Sequence, residues 1–278
     1  MPLDIRAKSS PELRPGRIFA FTALVIALAL AACGGGSSQV SPGGSGNLTS
    51  VDEVLAAARD SLSSVNSYRM ETVMVAKNDV DGREISAGNI NLTWSIPDRV
   101  QMIIVGADEG DEAEREEYIS TDGRVMARRS AAGNFWVEYD RNGSPDDREA
   151  RGILALVERF SAGPNFVPEM DEAELVGKIE IEGLTVYHVK GASTFRSEPP
   201  DDMPADVAAG FPRQQTDTAY DLYISVDDLL PRRLVSVVKI SWETAAGDAP
   251  PSEPARMEST VDYLDYNAPV TIVLPKVG

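Results

Sequence analysis

From Ser67 onward the hydropathy of this chain repeats every second residue, in one stretch after another. Ile90, Leu92, Trp94 and Ile96 alternate with polar neighbours, and Val100, Met102 and Ile104 repeat the pattern in the next run. Side chains of a strand point alternately to its two faces, so each run reads as a strand with one apolar side. Asp81-Gly82, Asp122-Gly123 and Gly183 stand between runs, where a hairpin needs residues that tolerate positive φ. Strands are expected over 67–77, 85–96, 98–106, 115–121, 124–130, 134–140, 178–194 (a hairpin), 219–227, 232–244, 255–266 and 269–275. Long alternating strands of this kind build one large antiparallel sheet with a single buried face.

The buried face needs a cover. "TSVDEVLAAARDSLSSV" (49–65) has helical apolar spacing, and Ser50 with Glu53 has the spacing of a capping box. "DDREARGILALVERFSAG" (146–163) brings Ile153, Leu154, Leu156, Val157 and Phe160 onto a second helix. "NFVPEMDEAELVG" (165–177) reads as a further short helix. These helices and the Pro/Asp-rich segment 196–217 are the candidate covers. A curved sheet with so few helices leaves room for a cavity, and alternation alone does not separate cavity lining from packed core.

The first residues carry Arg6, Lys8, Arg14 and Arg17, and Ile18–Ala32 is free of charge. Basic residues, a short apolar run and small residues at its end describe a secretory signal peptide. A membrane span needs about 20 apolar residues, more than this run supplies. "LAAC", Leu30 to Cys33, resembles the bacterial lipobox, in which the cysteine becomes the new N-terminus and carries lipid on its sulfur. Cys33 is the sole cysteine of the 278 residues, and a spare thiol in an oxidising compartment is the competing reading. The expected organisation is a signal peptide over 1–32, a lipidated Cys33 with a Gly/Ser-rich tether over 33–49, and a folded domain over 50–278. The chain is then held at the bacterial cell envelope, on the outer face of the cytoplasmic membrane or on an outer membrane where there is one.

Charge narrows the partners. Removing residues 1–32 takes away four basic and two acidic residues, leaving 22 Lys/Arg against 42 Asp/Glu and a net charge of −20. Nucleic acid binding needs the opposite sign, and surface attraction to anionic lipid is likewise disfavoured.

"SVNSYRMETV", "IPDRVQM", "DLYISVDDLLPRRL" and above all "DYNAPVTIVLP" (Asp265–Pro275) resemble segments of the LppX/LprG-type lipoproteins, a group related in fold to the LolA/LolB lipoprotein carriers. The resemblance implies a half-barrel of antiparallel strands with a few helices over the concave face, an α+β fold. It also implies a hydrophobic cavity for acyl chains and a ligand that is a lipid or an acylated molecule. The sheet positions that would line it are Leu92, Trp94, Val100, Met102 and Ile104 in the first half, and Tyr220, Leu222, Ile224, Val238 and Ile240 in the second. Plain core packing competes at each. The function implied is a non-enzymatic holder or carrier of lipid. An envelope sensor or protein-interaction module on the same scaffold is the alternative, with a protein partner.

Enzymatic readings find little support. The one histidine, His188, lies mid-strand in "VYHVKG" and reads as a strand side chain with a hydrogen-bond partner. No phosphate-cradling glycine loop is present, and no cofactor or metal is expected. Asp108–Glu117 lacks the ligand spacing of a calcium loop and reads as a solvated, mobile loop.

Overall fold

The computed structural model describes residues 48–108, 114–130, 135–140, 148–161, 163–197, 213–243 and 255–275. The signal peptide, Cys33 and the tether up to residue 47 lie outside the described residues, as do 109–113 of the acidic stretch and 198–212 of the Pro/Asp-rich segment.

Helix α1 (Val51–Leu62) begins where its cap demands. The backbone N–H of Glu53 donates to Oγ of Ser50, and the carboxylate of Glu53 accepts from the N–H of Ser50, each at 3.2 Å. This satisfies amides that have no partner inside the helix. Val54, Leu55, Ala58 and Leu62 form its buried face.

Eleven strands follow: β1 (Ser67–Asn78), β2 (Glu84–Ser95), β3 (Arg99–Asp108), β4 (Glu114–Thr121), β5 (Arg124–Arg129), β6 (Trp136–Asp140), β7 (Glu172–Ile181), β8 (Leu184–Arg196), β9 (Arg213–Ser225), β10 (Pro231–Glu243) and β11 (Ala255–Leu264). Helix α2 (Arg148–Ser161) separates β6 from β7. The strands form one open sheet in the order β6-β5-β4-β3-β2-β1-β11-β10-β9-β8-β7. Every neighbouring pair is antiparallel. Two meanders, β1–β6 and β7–β11, are thus sewn together between β1 and β11. The architecture is the α+β half-barrel expected.

The turns explain the register. Asp122 and Gly123 join β4 to β5, and Glu182 and Gly183 join β7 to β8, with positive φ at both residues of each pair. That geometry matches the twist of the strands it connects.

Four expectations are corrected. The Pro/Asp-rich segment 196–217 is not all loop: Arg196 ends β8 and Arg213 opens β9, where Gln215–Asp217 pair with both neighbouring strands of the ladder. Residues 165–171 are not helical, and 172–177 belong to β7. Two anchors hold this stretch extended: Phe166 stacks on Tyr263 at 4.2 Å and meets Tyr68 edge-on at 4.6 Å, while Met170 lies against Gly191. Residues 269–275 are not a strand. Val270, Ile272 and Leu274 instead pack with Ile119, Met126 and Trp136. Ile119 and Met126 face away from the main core, so this segment covers a patch on the outer face of the sheet. Finally, the acidic stretch is only partly a loop: Asp108 ends β3 and Glu114–Glu117 open β4. Glu117 sits opposite Arg128 and accepts from it at 2.6 Å, and Glu116 lies 3.1 Å from Arg129. Arginines on the neighbouring strand neutralise the carboxylates that charge repulsion alone would keep in solvent.

Candidate functional site

Register sets the inward side chains in rows across the sheet. One row runs Met102, Leu92, Met70, Tyr263 over β3, β2, β1 and β11. The next runs Ile104, Ile90, Thr72, Val261, Leu234, Leu222, Val189. A third runs Gly88, Met74, Ser259, Ser236, Tyr220, Gly191, and a fourth Ser86, Ala76, Met257, Val238, Thr218, Ser193. Ile240 lies one row further, opposite Thr216 and Ala255.

The helices cover one end of this face. Leu92, Trp94, Val100, Met102, Ile104, Leu222 and Ile224 share one hydrophobic cluster with Val54, Leu55, Ala58 and Leu62 of α1 and Ile153, Leu156 and Val157 of α2. Trp94 ties α2 down: its Nε1 donates to the carbonyl of Ser161 at 3.4 Å, and its ring lies 5.5 Å from that of Tyr68. At the other end Tyr220, Val238, Met257 and Ala76 are also buried, yet among the described residues they stand outside the cluster that holds the helices. Ile240 is half-buried. The ten expected residues therefore share one face but fall into two zones, seven in the cluster that holds the helices and three outside it. Met70, Met74, Tyr118, Tyr187, Val189, Met257, Val261 and Tyr263 belong to the same face and were missed. The period-two rule that found the ten also points to them.

The zone beyond the helices is mixed in character. Ser236 and Ser259 share a hydrogen bond at 2.8 Å, and Ser193 and the Tyr220 hydroxyl share one at 3.2 Å. Within the zone that shares its cluster with the helices, the hydroxyls of Thr72, beside Ile90 and Val261, and of Ser120, beside Val100, are buried without a partner. The face carries few charges. Burial pushes the phenols of Tyr68 and Tyr263 well above their ordinary value, and for Tyr118 the neighbouring Glu116 charge adds to burial. These groups stay neutral at any physiological pH, so the inner face offers apolar surface and neutral hydroxyls.

His188 lies on the outer side, where Nε2 stands 2.5 Å from Oδ1 of Asp221 and the ring stacks on Tyr223 at 4.7 Å. It is a strand side chain with a partner. Among the described residues no group of three or more His, Cys, Asp or Glu could hold a metal ion, and no described helix is long and apolar enough to cross a membrane.

No family model matches the chain, and no curated protein matches it. Among solved structures it is similar to LprF from Mycobacterium bovis, with 15% identity, a TM-score of 0.42, and 81% of this chain and 98% of that chain covered. It is similar to the lipoprotein LppX from Mycobacterium tuberculosis, with 11% identity, a TM-score of 0.38 and coverage of 81% and 100%. It is also similar to a LolA superfamily protein from Nitrosomonas europaea, with 10% identity, a TM-score of 0.27 and coverage of 81% and 96%.

Proposed function

We propose that the inner face of the half-barrel binds a lipid or an acylated molecule, and that the chain, anchored through Cys33, holds or carries it in the bacterial envelope without chemically changing it. The observation that supports this reading is the division of the inner face. Tyr220, Val238, Met257 and Ala76 face inward and are buried, while α1 and α2 pack elsewhere on the same sheet. An acyl chain is the ligand such a surface suits, because each CH₂ taken from water contributes about 0.8 kcal/mol. The hydroxyls of Ser236, Ser259 and Tyr220 lie in the adjoining row, where an ester or hydroxyl of the same ligand could find donors and acceptors.

The test is uptake of a fluorescent fatty acid by the 48–278 segment and by its Val238→Trp and Met257→Trp variants. The reading expects uptake by the parent and a loss of about tenfold or more in each variant, as an indole fills the space of several methylenes. Equal uptake by all three proteins would place the ligand elsewhere. The anchor has its own test. Cys33→Ala should release the chain from the membrane fraction or leave the signal peptide uncleaved, and normal cleavage with full membrane retention would contradict it.

A further inference from the structure

The two edges of the sheet are not alike. β6 is five residues long, and its Glu138 is gripped by Arg124 of β5 through two hydrogen bonds at 2.6 and 2.8 Å. β7 is ten residues long and, among the described residues, has a strand neighbour on one side only. The interior strands pair their carboxylates with a cation on the same or the next strand: Glu117 with Arg128, Asp262 with Arg233, Glu258 with Lys77. On β7 the carboxylates of Glu172, Glu174 and Glu180 have no such partner among the described residues, and all three are exposed. Its one cation, Lys178, lies 5.0 Å above the Tyr187 ring. Val176 and Ile179 are 49% and 39% exposed.

We propose that β7 is a docking strand for an extended, basic segment of a partner protein, which adds to the sheet as a twelfth strand. This concerns the rim of the sheet and stands whether or not the inner face holds lipid. An edge strand presents a row of backbone N–H and C=O groups, and an added strand satisfies them. Register fixes the chemistry of the incoming side chains. Ala173 and Leu175 pair with the inward Gly191 and Val189, so Glu172 and Glu174 point outward. Past the bulge between Leu175 and Gly177, Ile179 pairs with Val186 on that same outer side. The partner strand therefore carries Lys or Arg opposite Glu172 and Glu174 and an aliphatic residue opposite Ile179. Opposite charges directly across two strands attract and like charges repel. A second copy of β7 is disfavoured on that ground, since it would bring its own glutamates to the same edge. Charge on an edge strand also guards against aggregation, commonly as lysine. Here the guard is acidic, so it repels acidic chains and admits basic ones.

The test uses the full chain in a non-ionic detergent at low salt, with a fluorescein-labelled 10-residue peptide that carries lysine opposite Glu172 and Glu174 and valine elsewhere, matched to the length of β7. Anisotropy should show this peptide binding and its glutamate–valine counterpart failing to bind. Hydrogen exchange should show new protection of amides within 172–181. The same peptide N-methylated at every amide keeps its charge but cannot form the ladder, and it should bind at least about tenfold more weakly. Glu172→Lys with Glu174→Lys, both exposed and so harmless to folding, should weaken binding by roughly tenfold or more. No binding of the lysine–valine peptide, equal binding of its N-methylated form, or protection confined to other strands would each overturn the proposal.

Discussion

Gly191 faces the inner side of β8, and a Cβ there would stand 2.1 Å from Sδ of Met170 and 2.9 Å from the carbonyl oxygen of Glu172. The methionine could swing away, but the backbone oxygen could not do so without moving β7. Gly191→Ala should therefore destabilise the protein by about 1–3 kcal/mol, measured by denaturant unfolding. Met170→Ala in the same chain should return part of that loss, and strict additivity of the two would show that they do not share the space. Carboxylates make a second case. Glu53 is held below its ordinary value of 4.5 by the N–H groups of Thr49 and Ser50, Glu138 by hydrogen bonds from Arg124, and Glu258 by a hydrogen bond from Lys77. A carboxyl whose folded pKa is depressed stabilises the fold above its unfolded pKa, and that contribution is lost as pH falls through the folded value. The contribution of these three carboxylates should be fully present above about pH 5 and fade as pH falls below about 4.5. Glu138→Gln should reduce that acid-dependent loss relative to the parent chain, and an identical pH profile for the two would contradict the assignment of Glu138. The hairpin glycines and the capping box were legible in the sequence because each obeys a local rule. Gly191 was not, because its reason lies in a residue 21 positions away.

At the scale of elements, strand periodicity served well in the first half of the sheet, and it missed 172–177 of β7 and 213–218 of β9. It placed β1 to β5 within a residue or two, and both inward and outward faces followed. It failed at 269–275, where Val270, Ile272 and Leu274 alternate as a strand would. Period two reports that one side of an extended segment is covered, and it does not say whether a hydrogen-bonded neighbour runs alongside. Here the cover is the outer face of the sheet at Ile119 and Met126. Ile272→Ala should cost about 2–4 kcal/mol if that strap contributes to folding, with increased binding of a hydrophobic dye as the patch opens. An unchanged unfolding midpoint would mean the strap is dispensable. The helix α1 carries a smaller stake. Ser50→Ala removes the side-chain acceptor for the Glu53 amide and should cost about 1 kcal/mol in the same assay.

At the scale of the whole molecule, the inner face of the half-barrel falls into a part that shares one hydrophobic cluster with α1 and α2 and a part that stands outside it, and the proposed function assigns the ligand to the second. Where α1 and α2 lie, the inward residues are packed as a core. Met102→Trp and Ile224→Trp, both 0% exposed in that zone, should each cost about 1–3 kcal/mol or more. Beyond the helices, at Val238 and Met257, the same enlargement should cost less stability and act on ligand uptake instead. This division was invisible in the sequence, since Met102 and Val238 obey the same alternation, yet only Met102 joins the cluster that holds the helices. The most direct measurement is native mass spectrometry of the 48–278 domain exported to the envelope without its anchor, followed by lipid extraction. A domain carrying a non-covalent lipid with one or more acyl chains, and losing it in the Val238→Trp variant, is the predicted result. A lipid-free domain that also takes up no fatty acid or phospholipid at saturating concentration would contradict the account.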